Sequence, residues 1–116
     1  MSVVIYHNPR CSKSRQTLEI LEQRQLQPQV IEYLKTPPDA ATLKQLISML
    51  GINARDLLRN KEAEYKTAGL DNPDLSDEEI IAAMVSYPKL IERPIVIIGK
   101  RAVIGRPPER VLELIG

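Results

Sequence analysis

The chain carries one cysteine, Cys11, and one histidine, His7. A lone thiol excludes an internal disulfide, and any redox chemistry must borrow its second thiol from another molecule. One Cys and one His cannot build a structural zinc site from this chain alone, so neither a metal nor a bound organic cofactor is expected. Nothing approaches the about 20 consecutive apolar residues of a membrane span, and the opening MSVVIYHNP lacks the pattern of a secretion signal. The expectation is therefore a cytoplasmic protein without a membrane partner. An excess of one charge is missing as well. The formal net charge is +1, which argues against nucleic acid as a partner.

What is present fits an ordinary globular protein. The 116 residues, 43% apolar and 27% charged, suit one domain over 1–116, with no repeat or low-complexity tract to divide it. Arginine leads lysine among the 16 basic residues, a mixture suited to bidentate recognition of carboxylates or phosphate-like oxyanions.

Hydrophobic periodicity gives the order of elements. Val3 to Tyr6 reads as a short buried strand that runs into a turn at Asn8 and Pro9. From Lys13 to Gln25 there is no Gly or Pro, and Leu18, Ile20 and Leu21 offer a helical face. QVIEYL, residues 29 to 34, alternates with Val30, Glu32 and Leu34 on one side and Ile31 and Tyr33 on the other. Strand, helix and strand make a βαβ unit with parallel strands and a right-handed crossover. A helical insertion at about 37–90 follows. It holds Leu43, Leu46, Ile47 and Leu50 before a stop at Gly51, an N-cap at Asn53, and an S-x-x-E capping box at Ser76 and Glu79 ahead of Ile80, Ala83 and Met84, with Pro88 as terminator. Ile95 to Ile98 and Ala102 to Ile104 form a hairpin around Gly99 and Lys100. Pro107 and Pro108 open a last helix expected to turn Val111, Leu112 and Ile115 inward.

The stretch HNPRCSKSR is where chemistry concentrates. A helix starting near Ser12 puts Cys11 at its N-cap, where open backbone N–H groups and the macrodipole favour an anion. A thiol there becomes a better thiolate, and the same helix end accepts oxyanions. Ser14 and Arg15, one turn on, can face back with a hydrogen bond and a positive charge. A lone cysteine is commonly a small buried hydrophobe, but a strand–turn–Cys–helix junction is a poor place to bury an inert one. His7, taken singly, fits a hydrogen-bonding loop residue better than a general base. C-S-K-S has serine where C-x-x-C would need a second thiol. Arg59, Arg93 and Arg106 sit at the ends of elements; Arg93 and Arg106 both precede proline, which biases them toward extended backbone, and Arg93–Pro94 is a candidate cis bond.

IYHNPRCSKSRQTLE, LLR with Arg59, ERPIVI with Arg93 and GRPPE with Arg106 resemble, in this order and spacing, the glutaredoxin-coupled arsenate reductase (ArsC) family of bacteria. The likeness covers essentially the whole chain and is greatest to a short arsenate-reductase-like branch. It implies an α/β, thioredoxin-like fold with a mixed sheet, running β-α-β, helical insertion, β-β-α. It also implies that Cys11 attacks arsenate while Arg59, Arg93 and Arg106 hold the oxyanion. His7, Ser14 and Arg15 would tune the thiolate, glutathione would be the co-substrate, and glutaredoxin the regenerating partner. The chain departs from well-studied members at Arg10, Ser12 and Lys13, where they carry smaller residues, and it stops at Gly116 where longer members continue. Two other readings share the pattern. One is an Spx-like regulator that binds RNA polymerase, against which stand the missing C-x-x-C and the full set of arginines. The other is a thiol enzyme of the same fold acting on another oxyanion or on a glutathionylated protein.

Overall fold

The computed structural model describes residues 2–115; Met1 and Gly116, the ends of the expected 1–116 domain, lie outside the described residues. The regular elements run β1 (Val3–His7), α1 (Ser12–Gln23), β2 (Gln29–Glu32), α2 (Ala40–Leu50), α3 (Ala63–Thr67), α4 (Asp77–Ser86), β3 (Ile95–Ile98), β4 (Arg101–Ile104) and α5 (Leu112–Ile115). They form two compact units, one from Met1–Thr36 with Arg93–Gly116 and the other from Pro37–Glu92. No helix among the described residues is long and apolar enough to cross a membrane.

The first unit is built on a four-stranded sheet in the order β2-β1-β3-β4. β1 runs parallel to β2 and antiparallel to β3, and β4 pairs antiparallel with β3. This is the mixed sheet of a thioredoxin-like fold. The β3–β4 hairpin turns on Gly99, whose φ of 63° is the left-handed conformation that a two-residue connection requires. Val3, Ile5, Val96, Ile98 and Val103 of the sheet pack with Leu21 of α1 and Val111, and Leu18, Ile20 and Leu26 border that core.

Three local differences from the sequence reading have physical causes. On α1 the fully buried positions are Ser14, Thr17 and Leu21, while Leu18 and Ile20 are only partly covered. The buried stripe has the right period, but two polar residues occupy it. β2 ends at Glu32, because the Lys35 and Thr36 N–H groups both turn back to its carbonyl at 2.9 and 3.0 Å. Side-chain alternation nonetheless persists past the strand, with Tyr33 1% exposed and Val30 and Leu34 above 40%. The last helix is entered through a 3-10 turn, Pro108–Val111. That tighter winding shifts its phase, so Leu114 and Ile115 meet the core and Leu112 does not.

The helical unit follows its caps. Asp39 accepts from the Thr42 N–H at 2.8 Å to start α2, and Gly51, at φ 67°, ends it. Asn53 caps a 3-10 turn, Ala54–Leu57. Ser76 and Glu79 reciprocate at the start of α4, with Ser76 Oγ accepting from the Glu79 N–H at 3.2 Å and Glu79 Oε1 accepting from the Ser76 N–H at 3.1 Å. Leu43, Leu46, Leu57, Ile80, Met84 and Leu90 make the core of this unit. α3 buries no residue and left no apolar stripe to read in the sequence.

Ser76→Ala leaves the Glu79 N–H at the start of α4 without its partner, and should cost about 1 kcal/mol. Urea denaturation measures it; an unchanged midpoint would show that the box contributes nothing to stability.

Candidate active site

β1 delivers the chain to the site at His7, and after four intervening residues α1 begins at Ser12. Between them the Cys11 N–H donates to the Asn8 carbonyl at 3.0 Å, closing a tight turn. Asn8 reinforces it twice: its Oδ1 accepts from the Arg10 N–H at 3.0 Å, and its own N–H donates to Ser14 Oγ at 3.0 Å. Ser14, the third residue of α1, is thereby tied to the end of β1. Cys11 itself is the N-cap, with extended backbone at φ −96° and ψ 122°, and its carbonyl accepts the first helical bond from the Arg15 N–H.

Two arginines from the other end of the same unit arrive at this sulfur. Arg106 Nη2 donates to Cys11 Sγ at 3.5 Å while its Nε donates to the Arg93 carbonyl at 2.7 Å. The Arg93 guanidinium also acts on the same sulfur and favours its charged form. The segments bearing them are laced together, since the Gly105 N–H donates to the Pro94 carbonyl at 2.9 Å. Both Arg93–Pro94 and Arg106–Pro107 are cis.

The balance of forces on Cys11 favours the thiolate. Partial burial pushes its pKa up, but the Ser14 N–H, the Arg93 guanidinium through hydrogen bond and charge, and the Lys13 N–H together bring it below that of an ordinary cysteine. The helix end thus acts through its backbone. The Ser14 hydroxyl faces elsewhere: it lies 2.6 Å from His7 Nδ1, in a pair that is buried on both sides. Arg15 braces the loop by donating to the Pro9 carbonyl at 3.0 Å. For His7, burial pushes the pKa down, Glu32 on the neighbouring strand pulls it up, and Arg15 pushes it down; the result is below the usual value. A neutral imidazole against a hydroxyl is a structural pair, in keeping with its burial.

Arg59 belongs to the helical unit. Its backbone N–H donates to the Leu90 carbonyl at 2.7 Å beside a bridge between Leu58 and Ile91, and the Glu92 N–H donates to the Leu57 carbonyl at 2.8 Å. Its guanidinium pairs with Glu92 at 2.8 Å and Glu62 at 3.4 Å. Arg10, Ser12 and Lys13 are exposed around Cys11. The sequence reading overlooked Asn8 and Gly105. The HNP turn signal pointed to the former, whereas the latter is visible only once α1 and β4 are side by side. Among the described residues no cluster of His, Cys, Asp and Glu is placed to hold a metal ion.

Comparison with known proteins gives a consistent result. A model of the ArsC family matches residues 6–114. An Escherichia coli protein, uncharacterized protein YfgD, is 56% identical over 115 residues, spanning 98% of this chain and 97% of its own. The arsenate reductase of Haemophilus influenzae is 49% identical over 116 residues, spanning 99% and 100%. The solved arsenate reductase from Vibrio cholerae shares 55% identity and superposes with a TM-score of 0.95 over 97% of each chain.

A buried histidine whose folded pKa lies below its unfolded value near 6.5 stabilises the fold fully above that value. This stabilisation is lost as pH falls through the lower folded pKa. Denaturation midpoints of the wild type should therefore decline on acidification through this range more than those of His7→Gln. Parallel curves would assign the acid sensitivity to other groups.

Proposed function

The chain belongs to the ArsC family, and from that premise we propose that it is an arsenate reductase working through Cys11, with glutathione and glutaredoxin as external reductants in the bacterial cytoplasm. The observation that carries this reading is the convergence of the Arg93 and Arg106 guanidiniums on one sulfur at a helix N-terminus. Such a site suits a tetrahedral oxyanion: charged N–H donors take its oxygens while the thiolate attacks the central atom. Arg59, which the family pattern also marks for the oxyanion, lies in the helical unit, where Glu62 and Glu92 pair with its guanidinium.

The chemistry balances with one protein thiol. Cys11 sulfur bonds to arsenic and an arsenate oxygen leaves as water. A glutathione thiol then adds to arsenic. Over the whole reaction arsenic gains two electrons and gives up one oxygen as water, and two glutathione thiols lose those electrons and two protons to become a disulfide. Glutaredoxin returns that disulfide to thiols. Because both reducing thiols come from outside, a chain with Cys11 alone suffices. Tuning of the thiolate falls to the Ser14 N–H, Arg93 and the Arg106 donor, while His7, the Ser14 hydroxyl and Arg15 hold the loop that presents it.

The test is NADPH consumption with arsenate, glutathione, glutaredoxin and glutathione reductase. Turnover by the wild type that disappears in Cys11→Ser supports the reading. A folded protein with reactive Cys11 and no arsenate turnover sinks it, and directs attention to another oxyanion or a glutathionylated protein. Arg93→Ala and Arg106→Ala should each lose about 10²-fold in kcat/KM for arsenate. Alkylation of Cys11 by a neutral reagent should fall less; equal losses would place these arginines in the scaffold.

A further inference from the structure

Gly105 is a glycine for want of space. Its φ is not in the left-handed region, unlike that of Gly51, Gly69 and Gly99. A Cβ built on it would stand 2.7 Å from Thr17 Oγ1, 3.1 Å from Thr17 Cγ2 and 3.0 Å from Pro94 Cγ, distances at which something must move. Neither neighbour yields freely. Thr17 is fully buried on α1, with its hydroxyl donating to the Lys13 carbonyl at 2.8 Å, and Pro94 is buried.

The next residue is Arg106, whose guanidinium reaches both the Arg93 carbonyl and Cys11 Sγ. Cys11 caps the helix that carries Thr17. The bare Cα of Gly105 is thus the contact through which the helix bearing the nucleophile and the strand end bearing its cation are held at a set distance. We propose that Gly105 and Thr17 are positioning residues whose close contact sets the approach of Arg106 to Cys11. Any side chain at 105 lifts the strand end from α1, and Arg106 with it. The attraction between guanidinium and thiolate then weakens with distance. This inference takes Cys11 and Arg106 as the reacting site, but its readout requires no arsenate, so it stands or falls separately from the reductase reading.

The experiment is a titration of the Cys11 thiolate by ultraviolet absorbance in Gly105→Ala, Thr17→Ala and the double variant, with thermal melts alongside. Gly105→Ala should raise the Cys11 pKa by about one unit, which is about tenfold less thiolate at pH values below it. With Thr17→Ala as the background, the same alanine finds room and should raise it by less than half as much. A lowered melting temperature with no shift in the titration would mean a purely structural glycine and overturn the proposal. So would an equal shift in both backgrounds. If Gly105→Ala does not fold, Thr17→Ile crowds the same contact from the helix side and must raise the Cys11 pKa; an unmoved titration there also overturns it.

Discussion

A sulfur anion in a partly covered site demands positive charge aimed at it, and most features of the sheet unit follow from how that demand is met. Helix α1 supplies backbone N–H groups from Ser14 and Lys13, and Arg93 supplies a guanidinium, which together outweigh the desolvation of Cys11. The helix can deliver its share only if its first turn is anchored. Asn8 and the Ser14 hydroxyl provide the anchor by tying the turn to the end of β1. The arginines can deliver theirs only if β3 and β4 hold the two Arg–Pro segments together, which the bonds from Gly105 to Pro94 and from Arg106 to Arg93 accomplish. The sheet is the frame on which two distant pieces of chain meet at one atom.

Much of this frame was legible in the sequence. Strand, helix and hairpin followed from apolar periodicity and turn residues, and the capping residues Asn53 and Ser76 with the stops at Gly51 and Pro88 marked the helical unit because caps are local chemistry. Where the reading fell short, the deciding contact was distant. Ser14 and Thr17 look like surface positions on a helix. They are buried because β1, Pro94 and Gly105 lie over them, and no local pattern encodes that. The short α3 escaped notice because it buries nothing. At the site, the position of Cys11 at the helix start was readable, whereas the Ser14 hydroxyl was expected to face sulfur and instead meets His7. Proton donors and acceptors on a loop are chosen by geometry that sequence spacing does not fix.

Membership of the ArsC family marks certain residues, and the structure shows what physically holds each of them. Arg59 illustrates the difference. The family pattern marks it, but the structure adds that two carboxylates, Glu62 and Glu92, bracket its guanidinium and that its N–H, donating to the Leu90 carbonyl beside the Leu58–Ile91 bridge, fixes its main chain within the helical unit. A cation so held has already lost much of its side-chain freedom.

The contact between Arg106 and Cys11 joins residues 95 positions apart. During synthesis Arg106 emerges 95 residues after Cys11, several seconds later at ordinary elongation rates of about 5–20 residues per second. Until the final hairpin closes, the thiol lacks its arginines and has the modest reactivity of an unstructured cysteine. The nascent chain is therefore spared much of the oxidation and alkylation to which an activated thiolate is prone, and the sulfur is fully charged up only once the hairpin has joined the sheet.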